Sequence, residues 1–176
     1  MKKPIPVGPK PPKVVYSFIE IPRGGTNKYE FDHDLEVFIL DRALYSAVYY
    51  PTEYGHIPQT LCLDGDPIDI MVITSSPTFP GCLIATRVIG MLDLEDSGER
   101  DHKILGVALK DPRVNYIKTL KDLSPHFRAE ITDFWRNYAK LQPGKSIKII
   151  GWRNKEAAEK VIREGIERYR KTQHHQ

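Results

Sequence analysis

The run Asp64-Gly65-Asp66-Pro67-Ile68-Asp69 places three carboxylates within six residues of chain. Glycine and proline at its centre make a tight turn, and a tight turn can fold three carboxylates towards one another. Converging aspartates repel, which raises their pKa values unless a cation stands among them. No base lies in the run, so the chemistry it offers is oxygen-only ligation of a hard divalent cation: Mg²⁺, Mn²⁺ or Ca²⁺ rather than zinc. Asp64-Gly65-Asp66-Pro67 taken alone also reads as an ordinary surface turn. An EF-hand loop is excluded, because it would require glycine where Asp69 stands.

A second acidic stretch, Glu95-Asp96-Ser97-Gly98-Glu99-Arg100-Asp101, is followed closely by Lys103. Carboxylates from two separate segments with a cation nearby are what a two-metal centre acting on an anionic substrate needs. From Asp64 to Asp101 eight carboxylates face two guanidinium groups, a net charge of −6 in a chain whose total is +3. Lys28, with Glu30 two residues on, and Arg42, Tyr45, Tyr49, Tyr50 and Tyr54 add scattered basic and phenolic groups near strand ends, and basic groups beside magnesium-type carboxylates handle phosphate. Neither a Gly-Lys-Thr phosphate loop nor a Gly-x-Gly-x-x-Gly run after a strand is present, so a nucleotide-binding fold is not supported.

Short β-branched and aromatic runs must position these groups. Strands are expected over 14–20, 28–31, 35–41, 68–73, 83–92, 103–109 and 146–150, each bounded by Gly, Pro or Asp. Ile68, Ile70 and Val72 alternate on one face directly after the aspartate turn. Two helices follow late in the chain. Ser124-Pro125 is a cap followed by proline at the first helical position, and Phe127, Ile131, Phe134, Trp135 and Tyr138 make one stripe at helical period, with an end expected near Leu141. A second helix is expected from the cap Asn154 through Ala158, Val161, Ile162, Ile166 and Tyr169, fraying over 173–176. The fold class is α+β.

Length and composition bound the rest. With 176 residues, 40% hydrophobic and 28% charged, residues 1–176 read as a single domain. Residues 1–13 read as an extended, proline-rich N-terminal arm. Cys62 and Cys82 are too few for a disulfide framework, and no Cys or His spacing suits structural zinc. No apolar leader follows Lys2-Lys3 and no 18-residue apolar run occurs, so no membrane association is expected and the expected location is cytoplasmic.

The same residues carry a resemblance. The chain resembles the family I soluble inorganic pyrophosphatases of the prokaryotic type, from Val15-Tyr16 to Gly151-Trp152. Besides Asp64–Asp69, the resemblance rests on Glu20-Ile21-Pro22-Arg23-Gly24, Lys28-Tyr29-Glu30, Leu40-Asp41-Arg42, Tyr50-Pro51-Thr52-Glu53-Tyr54-Gly55 and Asp96-Ser97-Gly98. It implies a highly twisted five-stranded OB-like barrel flanked by two helices, hydrolysis of pyrophosphate to two phosphates, and several Mg²⁺ ions per site, with Mn²⁺ as a possible substitute. It further implies Asp64, Asp69 and Asp101 as ligands of a first metal, Asp69 bridging to a second, and Asp96 on a substrate-borne metal. Glu30 would serve a further metal and Glu20 an outer shell. Asp66 resembles the general base, Lys28, Arg42, Tyr54, Lys103 and Tyr138 the phosphate-binding groups, and Tyr50 a residue lining the site.

The chain departs from the family where Ala139 follows Tyr138 in place of a lysine. Lys140 is one residue further, a turn of about 100° on a helix, so Lys145 and Lys148 are the other candidates for that charge. The resemblance implies a homohexamer, a dimer of trimers, although Asp133 and Asn137 stand where some relatives have interfacial histidines. The competing reading is an OB-type module binding single-stranded nucleic acid without hydrolase activity. The acidic segment beside Tyr50 and Tyr54 argues against it, and no nucleic-acid partner is expected.

Overall fold

The computed structural model describes residues 4–32 and 34–173. In chain order the elements are β1 (Val14–Ile21), β2 (Asn27–Asp32), β3 (Val37–Ala43), β4 (Glu53–Ile57), β5 (Ile68–Ile73), β6 (Leu83–Asp96), β7 (Glu99–Ala108), α1 (Pro125–Tyr138), β8 (Ile147–Asn154) and α2 (Lys155–Gln173). The last three expected residues, 174–176, lie outside the described residues.

Among the described residues β1 pairs with β4, β4 with β5, β5 with β7, β7 with β6, and β6 returns to β1, so five strands close into a ring. The β5–β7 pairing is parallel and the others are antiparallel. Closure removes the open edges at which an exposed sheet aggregates. Strand β8 adds to β6 outside the ring, and β2 with β3 forms a separate hairpin. The long strand β6 serves both neighbours. Its Leu83–Arg87 half pairs with β1, its Gly90–Asp96 half with β8, and a bulge between Val88 and Gly90 separates the two.

Strand β4 is absent from the sequence expectation. Four of its five residues are buried, so it lacks the in–out alternation that marks a strand, and Gly55 interrupts it. The glycine is required there: a Cβ would lie 1.9 Å from the Phe18 carbonyl oxygen on β1. Strands β6 and β7 also run further into the acidic stretch than 83–92 and 103–109. That stretch is a hairpin tip in which Ser97 (φ 54°) and Gly98 (φ 95°) both take left-handed backbone, a two-residue turn that lets pairing continue to Asp96 and Glu99.

Alternation along β5 divides the interior in two. Ile68, Ile70 and Val72 join Ala158, Ile162 and Ile166 of α2, while Met71 and Ile73 join Ile131, Phe134 and Trp135 of α1. Before β1, Val7 packs against the α2-side cluster and its carbonyl accepts the Tyr16 N–H at 2.7 Å.

Helix α1 begins as expected, with Ser124 Oγ accepting the Phe127 N–H at 3.1 Å and Pro125 at the first position. It stops at Tyr138 rather than near Leu141. There the apolar stripe ends, and the Asn137 carbonyl is taken by Lys140 N–H at 3.2 Å and Ser46 Oγ at 2.6 Å. At the start of α2 Asn154 Oδ1 accepts from Ala157 N–H at 3.1 Å. Among the described residues no helix is long and apolar enough to cross a membrane.

Candidate active site

The period of two that splits the core also assembles the site. Asp69 shares the α1-facing side of β5 with Met71; Asp101 and Lys103 share it on β7 with Leu105; Asp96 shares it on β6 with Leu92 and Leu94. Tyr54 reaches the same cluster from β4. Parallel pairing of Ile70 with Ile104 brings the neighbours Asp69 and Lys103 side by side.

Lys103 is the hub. Its ammonium lies 2.5 Å from Asp69 Oδ2 and 2.8 Å from Asp101 Oδ2, and it donates to the Tyr54 hydroxyl at 3.1 Å. Burial works to lower its pKa, but the two carboxylates outweigh burial and raise it well above the usual lysine value. Burial also raises the Asp101 carboxyl, with Asp69 adding to the rise and Lys103 opposing it. Among the described residues no three His, Cys, Asp or Glu side chains surround one point closely enough to hold an ion. Between Asp69 and Asp101 the neutralising charge is the Lys103 ammonium.

Asp64 and Asp66 sit on the turn ahead of β5, where Asp64 Oδ1 accepts the Asp66 N–H at 3.0 Å and Gly65 takes a φ of 97°. Partial burial raises the Asp66 carboxyl, reinforced by the charges of Asp64, Asp69 and Glu30. Cys62, a residue not singled out from sequence, records the same field. Burial and then Asp64, Asp69 and Asp101 push its thiol up to about 12. An oxygen-only donor set that disturbs its neighbours so strongly fits a hard divalent cation, which would relieve the repulsion.

The opposite wall comes from the hairpin. Lys28 contacts Glu30 at 2.5 Å and Asp41 at 3.3 Å, and Arg42 contacts Asp41 at 2.5 Å. Burial opposes the Lys28 charge, yet Glu30, Tyr138 and Asp41 raise its pKa overall. Arg42 Nη2 also lies 3.4 Å from the Tyr138 hydroxyl at the end of α1. Asp41, quoted in sequence only as the neighbour of Arg42, is what ties the two cations together. Its signal was its position between Leu40 and Arg42 on an otherwise apolar strand.

Tyr50 packs among Tyr54, Phe134 and Tyr138. Its hydroxyl is buried beside the Tyr138 hydroxyl, facing the site. Burial first, then Tyr138 and Asp69, raises the phenol pKa well above its usual value, so it stays neutral. Asp96 accepts from Ser97 Oγ at 2.7 Å and meets Lys145 Nζ at 3.3 Å. Of the three lysines considered for the charge missing at Ala139, Lys145 is thus the one paired with a site carboxylate. Glu20 lies at the margin, within 3.4 Å of both the Phe31 N–H and His56 Nδ1.

Known proteins resemble this chain over nearly its whole length. A family model described as inorganic pyrophosphatase matches residues 17–170. An inorganic pyrophosphatase of Geobacillus stearothermophilus is 54% identical over 157 residues, covering 89% of this chain and 94% of that protein. One from Nostoc is 50% identical over 94% of this chain and 97% of its own. The crystal structure of inorganic pyrophosphatase from Thermus thermophilus superposes with a TM-score of 0.91 at 43% identity, covering 96% of this chain and 98% of that one. The chain belongs to the inorganic pyrophosphatase family.

Proposed function

We propose that this protein hydrolyses pyrophosphate to two orthophosphates in a Mg²⁺-dependent reaction, with Asp66 as the general base. The observation that carries the reading is the convergence of Asp69, Asp101, Lys103 and Tyr54 on one face beside the Asp64–Asp66 turn. Asp64, Asp69, Asp96 and Asp101 would hold the cations, with Glu30 and Glu20 further out. Bound there, divalent cations supply charge neutralisation for the phosphates and make water more acidic.

The chain's own residues do the rest. Asp66, whose carboxyl is raised by burial and like charge, takes a proton from the attacking water. Arg42 and Tyr138, already within 3.4 Å of each other, hold the departing phosphate between a planar guanidinium and a neutral hydroxyl. Lys28 and Lys103 offset charge that would repel the nucleophile, and the buried Tyr50 hydroxyl can donate without adding charge.

Phosphate release from pyrophosphate in Mg²⁺, with and without excess EDTA, tests the reading. Release that EDTA abolishes is expected; no release by magnesium-saturated protein would refute it. The proposal includes a cytoplasmic location and, from the family resemblance, a homohexamer. Two free thiols, Cys62 and Cys82, suit a reducing compartment. Leu35, Val37, Ile39 and Leu40 on the β2–β3 hairpin offer exposed apolar surface for other copies to cover.

A further inference from the structure

Trp135 has no part in the chemistry assigned above, yet its ring lies beneath the Lys103 ammonium. The ammonium is 4.9 Å from the Trp135 ring and 5.6 Å from the Tyr54 ring, both within cation–π reach. Trp135 is a fixed platform. It is buried, its indole N–H donates to Met71 Sδ at 3.3 Å, and its ring packs on Tyr54, Phe134 and Tyr138 at centroid separations of 5.6, 5.1 and 5.2 Å.

An ammonium has three N–H donors: Asp69 and the Tyr54 hydroxyl accept two, and Asp101, an ion-pair partner at 2.8 Å, occupies the third side. A phosphate oxygen can be bound by Lys103 only after one of them lets go. Asp69 and Asp101 are also the carboxylates a divalent cation would draw away. Once they turn to such a cation, Lys103 keeps the Tyr54 hydroxyl and the aromatic faces as its remaining partners, in a pocket where it is almost fully buried. A long lysine stem without a further hold would swing away from the incoming phosphate, since its four carbons rotate freely.

We propose that Trp135 is a positioning residue for Lys103: its indole face seats the ammonium when Asp69 and Asp101 engage a divalent cation, leaving two N–H donors for a substrate phosphate. This rests on the hydrolase reading and extends it to a residue outside the charged set. Tryptophan presents the strongest cation–π face of the aromatic side chains, which gives the identity of the residue a reason beyond core packing.

Two measurements test it. Trp152, whose indole N–H donates to Thr132 at 3.1 Å, is the other tryptophan of the chain, so Trp152→Phe leaves Trp135 as the sole tryptophan, which excitation at the red edge of indole absorption reads apart from the tyrosines. In that background MgCl₂ without substrate should change Trp135 emission, and Lys103→Met should remove most of the change. Emission that ignores Mg²⁺, or that changes equally without Lys103, overturns the proposal.

The second measurement is kinetic. Trp135→Leu should raise KM for pyrophosphate about 3- to 30-fold while kcat stays within about two-fold, and Trp135→Phe should recover most of the loss. A fall in kcat and in melting temperature at unchanged KM, or no recovery with phenylalanine, would mark Trp135 as core packing alone. Should Trp135→Leu fail to fold, the phenylalanine variant and the emission titration still decide. Wild-type protein that hydrolyses pyrophosphate while the variants leave KM unmoved sinks only this inference; wild-type protein that releases no phosphate sinks the hydrolase reading with it.

Discussion

Asp69 Oδ2 lies 2.5 Å from Lys103 Nζ across the parallel β5–β7 pairing. The two ends of this pair differ in solvent access: the lysine is almost fully buried, while Asp69 keeps about a third of its side chain exposed (31%). Removing the aspartate therefore strands a buried ammonium on Asp101 alone, whereas removing the lysine leaves carboxylates that water can still reach.

Asp69→Leu should accordingly destabilise the protein by about 3 kcal/mol and Lys103→Met by less, about 1–2 kcal/mol. Urea unfolding without metal would measure both. Mg²⁺ should raise the melting temperature of Lys103→Met more than that of the wild type, because the variant's carboxylates lack their internal cation. Equal losses from the two variants would contradict the asymmetry.

Asp93 tests a different kind of ion pair. On β6, facing away from Asp96, its carboxylate is almost fully buried and accepts both Arg100 contacts, at 2.8 and 2.6 Å. Arg153 Nε lies at 3.4 Å and His102 Nδ1 at 3.1 Å, the latter off the hydrogen-bonding direction. Arg100→Met should cost about 1–3 kcal/mol, because it leaves much of a buried carboxylate's charge uncompensated. The loss should persist in part in high salt, since the Asp93 end is buried although the Arg100 side chain is more than half exposed (57%). A loss that vanishes in salt would make this a surface contact.

Gly55→Ala places a methyl group 1.9 Å from the Phe18 carbonyl oxygen, at the joint between β1 and β4. Neither strand can retreat without opening the ring. The substitution should cost about 3 kcal/mol or more, read as a lower urea midpoint. A midpoint like that of the wild type would show that the two strands are not so closely held.

The sequence made some of this visible and hid other parts for physical reasons. The Asp64–Asp69 turn, the alternation of β5 and the Ser124-Pro125 cap are local features, written in neighbouring residues. Strand β4 was hidden because both its faces are buried and Gly55 reads as a breaker. Ring closure by β1 and β6 is a pairing between distant segments that no local pattern encodes. In the site, the acidic stretch was legible as charge. Its seating was not: that Lys103 takes the place between Asp69 and Asp101, or that Trp135 lies beneath it, depends on contacts between β5, β7 and α1. Trp135 in the sequence is one more residue of an apolar stripe.

Acid stability has a distinct source in Asp111. Its carboxylate accepts the Ser75 N–H at 2.7 Å and the Arg113 N–H at 3.0 Å, and the Ser75 bonds chiefly hold its pKa below the ordinary 3.8. A carboxyl depressed in the folded state stabilises fully above its unfolded pKa and loses that contribution as pH falls through the folded value. Asp111→Asn should therefore lower stability at pH 7, and the deficit should shrink as pH falls from the unfolded value through the lower folded one, until both states are protonated. A deficit independent of pH would assign the effect to shape.

In the proposed reaction the Asp64–Asp69 turn delivers a general base to the attacking water. Single-turnover phosphate release at saturating Mg²⁺ and pyrophosphate, compared between wild type and Asp66→Asn, tests it most directly. A rate about 10²- to 10⁴-fold lower is expected in the variant, with magnesium binding retained. A variant releasing phosphate at the wild-type rate would contradict it.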